Sequence, residues 1–267
     1  MVPLAQRAGF AARASSEGIM SSSAMVDLYS QIYADDTITG EPADMATRLR
    51  EAYVGGDAAA RLAAMQAIWG EGAEDGIIVD YSGYVMTAYA AARMRPSADL
   101  GDQSGALIAS MLTAGLDRDA LAWTEVVPGG SMGWALIILS QAERGSPASE
   151  ADIEAFLSND ASEEQRKSQF LIAGLAGLGR ITGGDRTSFS GELDIDLDRS
   201  SKWTRMISQA GEYRNPTLVS FLAGLGMQGA SWNQMTPLHL YHIVSALDAA
   251  GLGAEARMIA AEAVARG

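Results

Sequence analysis

The chain of 267 residues contains no cysteine. That excludes disulfides, zinc–thiolate centres and thiol nucleophiles. Histidine is almost as scarce, with His239 and His242 the whole supply, and Lys167 and Lys202 are the only lysines. Positive charge is short overall. There are 33 acidic against 19 basic residues, and the net charge is −14. A protein that grips nucleic acid or an anionic membrane needs a basic surface to displace counterions, and no run of Lys or Arg supplies one. Long apolar runs are missing too. Trp134–Leu139 and Phe170–Leu178 are far too short to cross a bilayer, so no transmembrane segment is expected. The opening MVPLAQRAGF holds no long apolar core of a leader peptide. The expectation is a protein of an aqueous compartment, cytoplasm or periplasm.

What is present is material for helices. Hydrophobic residues make up 48% of the chain and charged residues 19%, a globular composition. The plainest unit is the last stretch, from Ser231 to Gly267. Thr236 offers an N-cap, with Pro237 at the first helical position. Leu240, Ile243, Val244, Leu247 and Ala250 then recur at helical spacing. Gly251 closes that helix, and Leu252, Ala256, Ile259, Ala260 and Ala263 form the stripe of the next. Glu262 and Arg266 stand four apart on its outer surface.

Looser versions of this hairpin fill the rest. Ala43–Val54 and Asp57–Trp69 pair about Gly55-Gly56, with Leu49, Tyr53, Leu62, Met65, Ile68 and Trp69 as the expected buried set. A longer helix is expected over Glu74–Met94. Asp102–Ala114 and Asp117–Val127 pair about Gly115. Ser162 with Gln165 forms a capping-box pattern before a helix toward Leu178, in which Ala173, Gly174, Ala176 and Gly177 let a neighbour approach closely. Only Thr182–Arg199 fails as helix. Its alternation of Leu193, Ile195 and Leu197 predicts a loop or short strand. The fold expected is therefore all-α, an irregular array of antiparallel helical hairpins (an α–α superhelix or solenoid-like body). It divides into an N-terminal array over 1–181, a loop or strand insertion over 182–199, and C-terminal hairpins over 200–267 on the same body.

The segment Ile108–Ala120 parallels Ile243–Ala256, both passing through an Ala-Gly-Leu turn into an acidic helix start. This turn resembles those of tetratricopeptide and HEAT-type helical repeats. Trp232 followed by Pro-Leu-His-Leu-Tyr-His over 237–242 is similar to the tail of uncharacterised all-helical bacterial proteins. The resemblance implies a helical fold and a bacterial setting, and supplies no activity.

Four patterns carry candidate chemistry. Gly129-Gly-Ser131-Met-Gly133 matches the G-x-S-x-G nucleophile elbow, with Asp194 or Asp196 and then His239 or His242 in a permitted chain order. The other account of Ser131 is a helix cap. His239 and His242, spaced i and i+3, could both reach a metal, with a third ligand from Asp194, Asp196 or Asp198. They could equally be packed and bonded to neighbours. The three aspartates begin like a calcium loop, but Arg199 and Arg205 stand where that loop needs Gly and Glu. Finally Trp203, Tyr213, Trp232 and Tyr241 lie near Asn233, Gln234 and both histidines, a mixture common in ligand grooves and partner sites and also in irregular cores. The function expected is a non-enzymatic interaction or scaffold module. It would bind a protein or peptide partner, or a second copy of itself, and need no cofactor.

Overall fold

A computed structural model describes residues 2–70, 81–143, 145–229 and 232–267. Among these the chain is all-α and no strand occurs. The contacts divide it into two compact units, Met1–Val127 and Pro128–Gly267.

The first unit contains α1 (Leu4–Ser16), α2 (Ser22–Ala34), α3 (Glu41–Val54), α4 (Ala58–Trp69), α5 (Tyr81–Ala91), α6 (Ser104–Thr113) and the short α7 (Asp117–Leu121). The Glu74–Asp80 part of the expected long helix lies outside the described residues. Helix α5 is the centre of this unit and packs on α1, α2, α3, α4 and α6. Nearly every position from Ser82 to Ala91 is buried, as befits a helix that is apolar all round. Thr87 and the Tyr84 carbonyl bond it to α4 and α6. Trp69 Nε1 donates to Thr87 Oγ1 (2.7 Å), Thr87 and Ser110 hydroxyls bond each other (3.0 Å), and Ser110 Oγ donates to the Tyr84 carbonyl (2.8 Å). Trp69 also stacks on Tyr84, with ring centroids 5.3 Å apart. Leu49, Met65, Ile68 and Trp69 are buried as expected, while Tyr53 and Leu62 are half-buried. Burial pushes the Tyr53 phenol up to about 12.

The second unit contains α8 (Met132–Ser140), α9 (Glu150–Asn159), α10 (Arg166–Gly177), α11 (Gly183–Glu192), α12 (Lys202–Glu212), α13 (Pro216–Gly226), α14 (Pro237–Ala249) and α15 (Gly253–Arg266). Its centre is α14, which packs on α10, α12, α13 and α15. Thr236 caps it as the sequence predicts, accepting from the His239 N–H (3.2 Å). Leu240, Ile243, Val244 and Leu247 are all buried. Two glycines set how close its neighbours come. A Cβ on Gly177 of α10 would stand 2.8 Å from Val244 Cγ1, and one on Gly211 of α12 would stand 3.0 Å from Ala246 Cα. Arg180, just after α10, is buried and donates to the carbonyls of Ile138 and Gln141. A cation there suits the negative C-terminal end of α8.

Two sequence expectations need correction. Residues 183–192, expected as loop or strand, are helix α11. Thr182 caps it, accepting from the Asp185 N–H (3.2 Å), Asp185 sits in the positive first turn, and Phe189 is buried. Burial of that one ring offsets poor helix formers. The Leu193–Leu197 alternation follows a helix end where Asp194 turns left-handed (φ 50°) and Ile195 N bonds back to Ser190 O (2.9 Å). The second correction concerns α10. Gln165 makes no capping box; Ser162 Oγ accepts from the Lys167 N–H (3.1 Å) and the Asp160 carboxylate accepts from Ser168 N (2.8 Å) and Oγ (2.6 Å).

The Ala-Gly-Leu likeness does correspond to one geometry. Gly115 and Gly251 are left-handed, and the following leucine N–H reaches back to Met111 O (3.1 Å) or Leu247 O (2.9 Å).

The glycine contacts generate a paired test. Gly177→Ala should lose about 1–3 kcal/mol of stability through overpacking against Val244. Gly224→Ala, inside α13 with open space around the site, should gain about 0.4–1 kcal/mol. Urea denaturation measures both, and a neutral Gly177→Ala would show that α10 and α14 can separate without penalty.

Candidate functional site

The capping box at Ser201 starts α12. Ser201 Oγ accepts from the Thr204 N–H (3.0 Å) and Thr204 Oγ1 accepts from the Ser201 N–H (2.8 Å). This holds Trp203 in the first turn, on the side facing α13. Its Nε1 donates to the Leu222 carbonyl (3.1 Å), and its ring lies so close to Gly226 that a Cβ there would stand 2.6 Å from Cζ2. His239 covers the indole from α14, with ring centroids 4.8 Å apart. Trp203 thus ties α12, α13 and α14 together.

One turn along α14, the His242 ring lies 5.0 Å from the Tyr241 ring, edge-on. Its Nδ1 bonds Ser208 Oγ (3.2 Å), and its Nε2 is buried with no hydrogen-bond partner among the described residues. His239 Nδ1 bonds Thr236 Oγ1 (2.7 Å). Arg186 of α11 places its guanidinium 5.0 Å from the Tyr241 ring centroid and pairs with Asp198. Partial burial holds both imidazoles below the ordinary value of 6.5. For His242 the His239 ring and the Arg186 guanidinium add to that lowering, and Asp198 opposes it.

The structure therefore splits the predicted set. Trp203, His239, Tyr241 and His242 form one cluster, together with Ser208, Arg186 and Asp198. Trp232 goes elsewhere, edge-on to Phe170 at 6.3 Å. Gln234 is exposed, and the Asn233 side chain lies outside the described residues. Tyr213, after the end of α12, is 83% exposed. Among the described residues no group of three or more His, Asp or Glu side chains could hold a metal ion. Asp196 bonds the Asp198 N–H (3.0 Å), which is loop geometry.

Ser131 caps α8. Its Oγ accepts from the Trp134 N–H (3.2 Å). Gly130 is left-handed (φ 71°), and a Cβ on it would stand 2.4 Å from Ala155 Cβ, so the glycines before Ser131 let α9 pass close. The strand that a nucleophile elbow needs is absent among the described residues.

One feature went unread in the sequence. Helix α13 buries Val219, Leu222 and Ala223, yet Leu218, Phe221 and Leu225 are 41%, 70% and 47% exposed. These three recur at i, i+3 and i+7, a second apolar stripe on the outward side of one helix. Met206 of α12 and Tyr213 just after its end, seven apart in the chain, are exposed as well. The signal was available: PTLVSFLAGLG is too apolar for a helix that buries one face.

Comparison with protein-family models, with curated proteins and with solved structures finds no match for the chain.

The lowered imidazoles give a pH prediction. In the unfolded chain each takes a proton near its ordinary 6.5, and in the folded chain only at lower pH. Between those values the unfolded state binds more protons, so stability falls as pH falls. The contribution is full above about pH 6.5 and is lost as pH drops through the folded values. Melting temperature should decline on acidification from about pH 7.5 to about pH 5.5 more steeply in the wild type than in a His239→Gln/His242→Gln variant. Parallel profiles would refute the assignment.

Proposed function

We propose that the chain is a non-enzymatic helical interaction module whose binding face is the outward side of α13, with Met206 of α12 and Tyr213 at its end beside it. The observation that carries this reading is the stripe of Leu218, Phe221 and Leu225, left in water while Val219, Leu222 and Ala223 of the same helix are buried. A lone exposed leucine is ordinary, but an apolar row with helical spacing on a well-anchored helix is the surface that a partner helix or groove covers. The anchor is the Trp203 cluster, which holds α13 by the Leu222 carbonyl and by contact at Gly226. Trp203 and His239 hold α13 from beneath.

The alternatives draw less support. Ser131 is engaged as a cap, and each histidine Nδ1 bonds a hydroxyl of its own neighbourhood, Thr236 or Ser208.

Phe221→Glu tests the reading. The side chain is exposed, so the substitution should change stability by no more than about 0.5 kcal/mol. It should also abolish recovery of a protein that co-purifies with the wild type from the native host. A partner retained equally by Phe221→Glu would move the binding face off α13. Stoichiometric fluorophosphonate labelling of Ser131 would overturn the module reading altogether.

A further inference from the structure

The hairpin of α12 and α13 is attached to the second unit through one helix. Among the described residues α12 and α13 pack on each other and on α14, and their contacts with other helices are slight. A unit docked on a single helix is the kind that opens locally before the rest unfolds. The hairpin buries Ile207, Ala210, Val219, Leu222 and Ala223. Its side-chain links to α14 include two histidine contacts. Trp203 lies against His239, and Ser208 Oγ bonds His242 Nδ1 (3.2 Å).

The two histidines meet a proton differently. His239 lies against an indole ring, which attracts a cation, and its Nδ1 bonds the Thr236 hydroxyl (2.7 Å). His242 has no such compensation. Its Nε2 is buried and lacks a hydrogen-bond partner among the described residues. Imidazolium donates from both ring nitrogens, so protonation would put a charged N–H there with no acceptor. That costs far more than an unmet neutral group. Arg186, beside it over Tyr241, and His239, one turn back, both oppose the charge. Asp198 favours it but is exposed and already pairs with Arg186. Other ionisable groups stand away from it. Asp194, Asp196 and, on α12, Lys202, Arg205 and Glu212 are exposed, and α13 carries none. Arg166 and Lys167 open α10. On α15, Glu255 is exposed, Arg257 donates to the Ser140 carbonyl and Arg266 pairs with Glu262. We infer that His242 is an acid-sensitive joint: protonating it breaks the seat at Ser208 and lets the α12–α13 hairpin open from α14 before the rest of the unit. This joint works whatever the α13 face binds. The open hairpin takes its proton near the ordinary 6.5, so opening gains as pH falls below about that value.

Hydrogen exchange of the full chain, read by mass spectrometry at about pH 7.5 and about pH 5, tests the joint once the intrinsic exchange rate is divided out. Protection of α12 and α13 should fall at least about threefold more than that of α10 and α15, since each pH unit by which the closed state holds the proton off is tenfold in opening. His242→Gln keeps an amide for Ser208 and cannot titrate, so the extra fall should vanish. His239→Gln should keep most of it. A second measurement needs no variant. In the unaltered chain the His242 ring protons, followed by NMR, should titrate below 6.5. An equal loss of protection in α10 and α15 would mean that acid acts on the whole unit and would overturn the joint. An extra fall that survives His242→Gln, or a His242 ring that titrates at or above 6.5, would overturn it as well.

Discussion

The second unit depends on the closeness of α10 and α12 to α14. At Gly177 the α10 backbone meets the side chain of Val244, and at Gly211 the α12 backbone meets Ala246. Neither approach leaves room for a methyl group. Glycine weakens a helix by roughly 0.5–1 kcal/mol relative to alanine, so packing must offset that loss at both positions. Many small dispersion contacts do so when two backbones come this near.

The closeness fixes the geometry of everything nearby. With α12 seated on Ala246, Ser208 reaches His242, and Trp203 meets His239. Trp203 in turn grips α13 by a carbonyl and by the bare backbone at Gly226. The tryptophan and the histidines are held by packing and by hydrogen bonds to local hydroxyls. The cluster therefore reads as a brace beneath α13 rather than as a reactive centre. Among the described residues, the outward side of α13 lacks such a counterpart. Its second stripe stays in water, where covering it would gain about 25 cal/mol for each Å² of apolar surface removed.

Much of the architecture was legible in the residues. Thr236-Pro237 opened α14 and Gly251 closed it as local chemistry requires, because caps and left-handed turns are decided within a few residues. The small residues of α10 announced a close neighbour. Local patterns misled where a distant contact outweighed them. Gly183-Gly184 and three alternating apolar residues suggested loop or strand, but a burial site for Phe189 made α11 worth forming. G-x-S-x-G admitted a nucleophile or a helix cap, and the fold uses the cap: its glycines accommodate α9 and its serine caps α8.

The sequence by itself determined the helical class, the helix ends and the excess of acid. Each of these follows from short-range sterics, from hydrogen bonding along one segment, or from simple addition of charges. Only the tertiary structure decided which of two apolar stripes on α13 would be covered. It also decided that Ser208 and His242, on different helices, would meet. Burial is a property of pairs of elements, and a hairpin converts separation along the chain into position across a surface.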